Sequence, residues 1–194
     1  QFGQSQVEAA AEMVETCGAE SVTARNVSHA AGISVGTLYC AFPFIDDVFV
    51  ALEVNLLRRL IDRLSNETAV VDTSRQRLSR LASSYLEFSR ESPQLWALCS
   101  RNSPKIEDYR LQDLKAVYGR IVDCFELALS LGIAGSGPRP ARDRAIGLWA
   151  SIHSLSVLAA SGKHPGLTRD IIACNVEDIL VASQDDGLDW VVVA

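Results

Sequence analysis

The 194-residue sequence has no apolar run that is long enough to span a membrane. Its most apolar stretch, Ala145–Ala160, is interrupted by serines and by His153, whereas a membrane helix needs about 18 or more consecutive apolar residues. The first four residues, Gln-Phe-Gly-Gln, also lack the basic and then apolar pattern of a secretion signal. These absences predict a cytoplasmic protein with no membrane partner.

The cysteines also lack the spacing that is typical of a metal-binding site. The cysteines are odd in number and widely scattered, and none forms a CxxC or cysteine–histidine pair with the spacing of a zinc site. We therefore expect no metal, and we expect buried free thiols in a reducing compartment. The five positions are Cys17, Cys40, Cys99, Cys124 and Cys174.

The sequence lacks the motifs of common catalytic sites. It contains no G-x-S-x-G elbow, Walker loop, H-E-x-x-H or dinucleotide fingerprint. Only three histidines occur, His29, His153 and His164, and they lie in separate regions of the chain. Because catalysis needs groups that converge, we predict that the protein is not an enzyme and uses no cofactor.

Basic residues are almost absent from the N-terminal segment. Residues 1–55 contain one basic residue, Arg25, and seven acidic residues, so this segment carries the whole formal net charge of −6. The rest of the chain is balanced. A DNA-binding domain normally has the opposite sign, because contacts with phosphates supply most of its affinity. The charge therefore weighs against a simple DNA-binding function.

What the sequence does contain is helical periodicity along most of its length. Apolar residues recur at spacings of three and four, and no alternation typical of strands is present. Glycine, proline and asparagine clusters mark the breaks. The predicted helices cover about 5–17, 24–31, 35–41, 46–65, 74–90, a short segment after Pro93, 106–131, 141–161 and 168–183.

The second and third predicted helices form a helix-turn-helix. Thr23 and Ser34 stand where each helix would begin, and their hydroxyls suit N-caps. Gly32 lies in the turn between the helices, and Pro43 ends the third helix because proline cannot continue a helix interior.

The segment from about Gln6 to Asn55 resembles the TetR family of bacterial regulators. The matching residues keep the family's order and spacing, most densely in the third helix. They are Ala9-Ala10, Gly18, Thr23-Ala24-Arg25-Asn26-Val27, Ala31-Gly32-Ile33-Ser34, Gly36-Thr37-Leu38-Tyr39, Phe42-Pro43 and Asp47. The resemblance implies an all-α protein of about nine helices, with a helix-turn-helix DNA-binding domain over residues 1–46. It also implies a helical effector-binding and dimerisation domain over 47–194.

The resemblance also implies which residues face operator DNA. Arg25 matches a position that contacts the DNA backbone, although pairing with a nearby glutamate is the alternative. Thr23 either binds phosphate or only caps its helix. Thr37 and Tyr39 match positions that reach phosphate or bases, but Tyr39 has the alternative of packing on Phe42. The backbone at the start of the third helix is expected to approach DNA closely, at Ser34, Val35 and Gly36.

Four positions depart from the family pattern. Val35, Cys40 and Ala41 stand where polar or basic residues are common, and Ile45 replaces a lysine that clamps a phosphate. Val35 and Ala41 still suit contact with a thymine methyl, but neither supplies charge or paired hydrogen bonds. Leu38 and Phe42 we assign to the small core of the domain.

Aromatic residues on the apolar faces of the later helices suggest an effector pocket. A pocket lined by aromatic rings with few polar groups accepts a hydrophobic ligand. The alternative for each residue is ordinary core, and His153 in particular suits a structural role. Leu148-Trp149 through His153 also resembles a Trp-x-x-x-His pattern of one family branch, with Ser154 where that branch has glycine. The candidate ligand-binding residues are Trp96, Tyr109, Tyr118, Phe125, Trp149 and His153.

The last two predicted helices carry more apolar surface than one helix pair buries. An isologous four-helix interface would cover it, so we predict a homodimer through these helices. The leading hypothesis is a repressor that binds operator DNA as a homodimer and responds to a small hydrophobic effector. The alternative is a related protein that has lost operator binding and acts as a ligand-binding or protein-interaction partner.

Overall fold

The structure is a computed structural model of the chain, and it describes residues 3–67, 73–101, 108–130, 140–162, 170–171, 174–176 and 178. These residues are almost entirely helical, and no strand occurs among them. The α-helices are α1 Gln4–Cys17, α2 Ala24–Ala30, α3 Val35–Ala41, α4 Ile45–Glu67, α5 Ser74–Glu91, α6 Pro93–Trp96, α7 Asp108–Ser130 and α8 Ala141–Ala160. Two 3-10 helices cover Ala19–Ser21 and Ala97–Ser100.

The predicted all-α fold is confirmed, and most helix ends agree with the predictions within one or two residues. One short element was missed, the 3-10 turn Ala19–Ser21 that follows Gly18. The predicted last helix, 168–183, and the breaks at 102–104 and 132–139 lie wholly or mostly outside the described residues. The described positions 170–171, 174–176 and 178 within that last helix are helical.

The helix-turn-helix is built from the local signals that the sequence displays. Thr23 Oγ1 accepts a hydrogen bond from Asn26 N at 3.2 Å, and Ser34 Oγ accepts one from Thr37 N at 3.0 Å. Both residues are therefore N-caps, which satisfy backbone donors that a helix start leaves free. Gly32 has a φ of 67°, a left-handed conformation that glycine adopts without steric cost.

Helix α4 begins one residue earlier than predicted, at Ile45. Asp47 is fully buried, and its Oδ2 accepts a hydrogen bond from the backbone N of Phe44 at 2.9 Å. This bond closes the turn after Pro43, so the helix starts at Ile45 rather than at Asp46.

The chain divides into two compact units, and the first comprises residues 1–60 and 88–119. Its core contains side chains from the three N-terminal helices, including Val14, Val27, Leu38 and Phe42. Ser92, just before α6, donates a hydrogen bond to Glu15 of α1 at 2.8 Å. The later segment therefore contacts α1 within this unit.

The second unit comprises residues 61–87 and 120–194. Arg142 of α8 contacts Asp123 and Glu126 of α7 at 2.7 and 2.8 Å. The buried side chains of the second unit include Leu64, Leu78, Leu81, Tyr85, Ile121, Phe125, Ala145, Leu148 and Ile152. These two units are defined by packing, so the functional boundary expected after residue 46 stays a prediction.

No single helix of the described residues is long and apolar enough to cross a membrane. One bent pair, α3 with α4, passes that test by length and composition alone.

The cysteines depart from one expectation. All five are free thiols, as predicted. However, Cys17, Cys40 and Cys174 are exposed, and Cys99 and Cys124 are only half-buried. The prediction of buried thiols was therefore wrong, because helical position rather than residue type decides which small side chains face inward.

Candidate functional sites

The outer surface of α3 presents the predicted DNA-facing residues. Val35 is 40% exposed and Tyr39 is 44% exposed, while Ser34 and Gly36 are also exposed. Tyr39 therefore does not pack into the core. We call the set of predicted DNA-facing residues the reading face, and it consists of Thr23, Arg25, Ser34, Val35, Gly36, Thr37 and Tyr39.

The inner side of α3 forms the core of the same three-helix unit. Leu38 is fully buried and Phe42 is 2% exposed. The assignment of these two residues to the core is confirmed. Core and reading face thus alternate along one short helix, as its 3.6-residue period requires.

The hydroxyl groups of the reading face are partly engaged in capping. Ser34 Oγ and Thr37 Oγ1 lie 2.8 Å apart and share a hydrogen bond. Thr23 Oγ1 accepts from the Asn26 backbone, which leaves its own proton available to an acceptor. A cap role and a phosphate contact are therefore compatible at Thr23.

Arg25 provides the positive charge of the reading face. Its side chain is exposed, and within the described part of the chain no carboxylate lies within ion-pair distance of it. The alternative of a pairing with a glutamate is thus not seen there. Gly36 adds room for close approach, since a Cβ at this position would contact only Ser34 Oγ, at 3.7 Å.

Two arginines from outside the N-terminal segment reach the junction between α3 and α4. Arg110 donates to the carbonyl of Ala41 at 3.3 Å, and its guanidinium lies 4.8 Å from the centre of the Phe42 ring. Arg101 lies 3.9 Å from the centre of the Phe49 ring. Sequence reasoning missed both, because only folding brings positions 101 and 110 to this junction.

An aromatic cluster in the second unit gathers three of the six predicted ligand residues. Trp149 and His153 of α8 stack with ring centres 5.5 Å apart, as residues four positions apart on a helix do. Tyr85 of α5 lies 6.3 Å from Phe125 of α7. We call Tyr85, Phe125, Trp149 and His153 the aromatic cluster.

A directed chain of hydrogen bonds links the polar atoms of the aromatic cluster. Trp149 Nε1, which only donates, lies 3.3 Å from the Tyr85 hydroxyl oxygen. That hydroxyl lies 2.7 Å from His153 Nδ1. Because the Tyr85 oxygen accepts from Trp149, the Tyr85 hydroxyl can donate its proton to His153 Nδ1. This arrangement favours the His153 tautomer that carries its proton on Nε2.

Burial keeps His153 neutral. Desolvation lowers the pKa of His153 from 6.5 to about 4. At physiological pH the cluster therefore offers aromatic rings and neutral hydrogen-bonding groups without a charge, which suits an apolar ligand.

The remaining predicted ligand residues lie in the first unit. Tyr118 donates a hydrogen bond to the buried carboxyl of Glu53, whose pKa is raised by desolvation despite this bond. Trp96 is fully buried with its ring edge toward Phe88. Tyr109 is 48% exposed beside Arg110. Within the first unit these three residues thus contact different partners, namely Glu53, Phe88 and Arg110.

Comparisons with known proteins decide the family. The model of the tetracyclin repressor-like C-terminal domain matches residues 78–178, just over half of the chain. The chain belongs to the TetR family of transcriptional regulators. Among curated proteins no sequence matches.

Solved structures of TetR-like regulators share this fold. The regulator FadR from Bacillus subtilis, solved in complex with stearoyl-CoA, has a TM-score of 0.71 at 14% identity, covering 94% of this chain and 98% of that one. A transcriptional regulator from Rhodococcus sp. RHA1 has a TM-score of 0.70 at 20% identity, covering 94% and 95%. The TetR family regulator PfmR from Thermus thermophilus has a TM-score of 0.65 at 13% identity, covering 91% and 97%.

Two buried polar residues of this TetR-family chain escaped the sequence analysis. Tyr85 continues the stripe of Leu78 and Leu81 at helical spacing, so a signal was present. Glu53 interrupts an otherwise apolar stripe on α4, which marks it as buried among apolar residues. In both cases the partner lies far along the chain, and only the fold identifies it.

Metal binding has no support in the described residues. Among them no group of three or more histidine, cysteine, aspartate or glutamate side chains is arranged to hold an ion.

Proposed function

We propose that this TetR-family chain is a repressor that binds operator DNA as a homodimer and is controlled by a small hydrophobic effector. The observation that carries the proposal is the division of α3, which buries Leu38 and keeps Val35, Gly36 and Tyr39 on an outer face. A helix that packs through one side and presents small and hydroxyl-bearing residues on the other fits a major groove.

The proposed DNA contacts combine charge, hydroxyl groups and close backbone approach. Arg25 binds phosphate through a charge-assisted hydrogen bond. Hydroxyl groups of the reading face donate to phosphate oxygens, and the backbone near Gly36 approaches the groove. The full set is Thr23, Arg25, Ser34, Val35, Gly36, Thr37 and Tyr39.

Pairing of two copies through α8 and the last predicted helix would set the distance between two reading faces. On α8, Ile146 and Leu158 are 43% and 41% exposed, and Gly147 is exposed too. Large apolar side chains beside small ones support close packing of a second copy. Two reading faces then meet successive major-groove turns, about 34 Å apart.

The effector is proposed to bind at the aromatic cluster. Phe125, Trp149 and His153, together with Tyr85, offer rings and an uncharged hydrogen-bond network. A long-chain acyl ligand is a suitable first probe, because the Bacillus subtilis neighbour was solved with stearoyl-CoA. Binding would release DNA if the ligand favours a dimer with a different spacing of its reading faces.

In a second candidate function, a chain of the same fold does not bind operator DNA. The observation that favours it is the charge of the N-terminal segment, which holds seven acids and only Arg25 as a base. Such a chain would act as a ligand-binding or protein-interaction partner.

Fluorescence anisotropy with DNA from the gene's own upstream region separates the two candidates. We expect saturable binding at low salt that weakens in Arg25→Ala and in Tyr39→Ala. Arg59→Ala is the matched control, since Arg59 is an exposed arginine on α4 that lies over the Phe88 ring. If the folded protein does not bind at low salt, the operator proposal fails and the second candidate takes its place.

A fluorescence titration tests the effector proposal independently of DNA. Stearoyl-CoA is expected to change the emission of Trp149 in the wild type. The change should be absent in Trp149→Phe, while the emission of Trp96 and Trp190 remains as a reference. Unchanged emission at saturating ligand, confirmed by calorimetry without heat of binding, contradicts this ligand class.

A further inference from the structure

The reading face has too little positive charge for ordinary DNA affinity. Phosphate contacts by lysine and arginine supply most of the free energy of non-specific binding. Residues 1–55 contribute one such residue, Arg25. If the operator binding proposed above is correct, on which this inference rests, further cations must come from elsewhere in the chain.

Arg101 is placed beside the start of α4 by the 3-10 helix Ala97–Ser100, which it directly follows. Its Nη2 lies 3.7 Å from Asp46 Oδ1, and its guanidinium lies over the Phe49 ring. Both partners belong to the first two turns of α4, and all three residues lie in the first unit. A cation is therefore held next to the N-terminal end of α4.

The position of Arg101 connects to the reading face through an open cleft. The lining of this cleft includes Tyr39 on the reading face and Asp46, the ion-pair partner of Arg101. Pro43, Phe44 and Ile45 form the rest of the lining. The cleft runs along the α3–α4 junction from Tyr39 to Asp46, the residue that Arg101 contacts.

Arg101 is free to change partners, whereas Arg110 is not. The Arg101 side chain is 40% exposed, although that of Asp46 is only 13% exposed, and the 3.7 Å between their charged atoms is longer than a hydrogen bond, so this contact is weak. Arg110 instead donates to the Ala41 carbonyl at the end of α3 and lies against two aromatic rings, so its role is structural. Arginine also matches phosphate geometry with two parallel hydrogen bonds.

We propose that Arg101 binds a backbone phosphate of DNA beside Tyr39. In the free protein, Asp46 and the Phe49 ring hold the guanidinium in position at the edge of the cleft. On binding, its N–H groups donate to the phosphate oxygens, and the Asp46 carboxylate loses its partner. Arg101 thus supplies from the later part of the chain a charge that the N-terminal segment lacks.

Anisotropy titrations over a range of salt concentrations test this proposal with the full chain. Arg101→Ala is expected to weaken binding by about tenfold or more, equally on operator and unrelated DNA, since a phosphate carries no sequence information. The slope of log K against log salt should become shallower by about one for each protomer. Arg101→Lys keeps the charge and should recover part of the affinity.

Three further variants separate phosphate binding from a structural role. Asp46→Asn should strengthen binding, because it releases Arg101 and removes a negative charge, and it should do so more than Glu20→Gln, a matched removal of an exposed acid. Ile45→Lys, at the same cleft, should restore binding in the Arg101→Ala background. Arg59→Ala, about 21 Å further along α4, should bind like the wild type.

Two results would overturn the proposal while operator binding stands. One is an Arg101→Ala variant that binds like the wild type with the same salt slope. The other is an Asp46→Asn variant that loses affinity as Arg101→Ala does, which would show that the ion pair itself matters. Absence of wild-type binding at low salt would instead overturn the proposed operator function and this inference together.

Discussion

The reading face and the aromatic cluster are opposite in how their polar groups are satisfied. On the reading face, the side chains of Arg25 and Tyr39 are exposed. In the aromatic cluster, the Tyr85 hydroxyl is fully buried and is bonded to both Trp149 and His153. One region is open to a partner, and the other already has its polar groups paired.

In the first unit, folding and the proposed DNA binding depend largely on different residues. In the aromatic cluster, folding and the proposed ligand binding depend on the same residues. Residues that hold the helix-turn-helix together, such as Leu38 and Phe42, are buried, whereas Arg25 and Tyr39 of the reading face are exposed. In the aromatic cluster, by contrast, the residues proposed to contact the ligand also hydrogen-bond to one another. Substitutions should therefore affect the two regions differently.

The largest expected effect on stability is at Leu38, the buried residue of α3. Leu38→Ala should lower the free energy of unfolding by about 2–5 kcal/mol, because it leaves a cavity at a fully buried position. Val35→Ala, one turn away and 40% exposed, should change it by less than about 0.5 kcal/mol. Urea unfolding measures both, and equal losses would contradict the division of this helix.

The pH dependence of stability tests the neutral state of His153. Its pKa is about 4 in the folded protein and 6.5 in the reference state, so the unfolded chain binds more protons between these values. Stability should therefore fall by up to about 3 kcal/mol as the pH drops from 6.5 to 4. The difference in unfolding free energy between the wild type and His153→Gln, measured by urea unfolding across this range, should show this fall.

Comparison with His153→Gln is needed because Glu53 acts in the opposite direction. Burial raises the pKa of Glu53, so the folded state holds that proton longer and loses stability as the pH rises above 4.5. The difference between wild type and variant cancels this contribution. A difference that does not vary with pH would contradict a buried, neutral His153.

Removal of one buried hydroxyl should have a moderate effect. Tyr85→Phe leaves Trp149 Nε1 and His153 Nδ1 without this partner and should cost about 1–3 kcal/mol of unfolding free energy. Tyr109→Phe is the matched control, since Tyr109 is 48% exposed, and it should change stability by less than about 0.5 kcal/mol. Similar losses in thermal unfolding would show that the hydrogen-bonded chain contributes nothing.

Gly36→Ala is expected to weaken DNA binding without destabilising the fold. Space around this residue accepts a methyl group, so Gly36→Ala should leave the fold intact and raise stability by up to about 1 kcal/mol. DNA binding should nevertheless weaken, because the added methyl group keeps the backbone away from the groove. A variant with unchanged affinity would remove Gly36 from the set of proposed contacts.

Local signals made the helix-turn-helix predictable from sequence. The caps at Thr23 and Ser34 and the turn at Gly32 lie within a few residues of the helices they limit. The start of α4 was missed by one residue, because the bond between Asp47 and the Phe44 backbone is a tertiary detail of the turn.

Long-range partners explain what the sequence did not reveal. Phe125, Trp149 and His153 were expected to share a pocket, but Tyr85, which bonds to two of the cluster, lies more than sixty residues away from its partners. Arg101 contacts Asp46 and Phe49, which lie more than fifty residues earlier in the chain, and these contacts arise only on folding. Helical periodicity identifies which residues point inward, but it does not identify what they meet.

The salt dependence of operator binding shows how many cations of each protomer contact phosphates. With Arg25 and Arg101 as the phosphate-binding cations of each protomer, a homodimer should bind operator DNA saturably, with a slope of log K against log salt of about −3.6. That value is shallow for a dimeric regulator and follows from the scarcity of cations on the reading face. A folded protein without saturable binding at low salt would contradict the account.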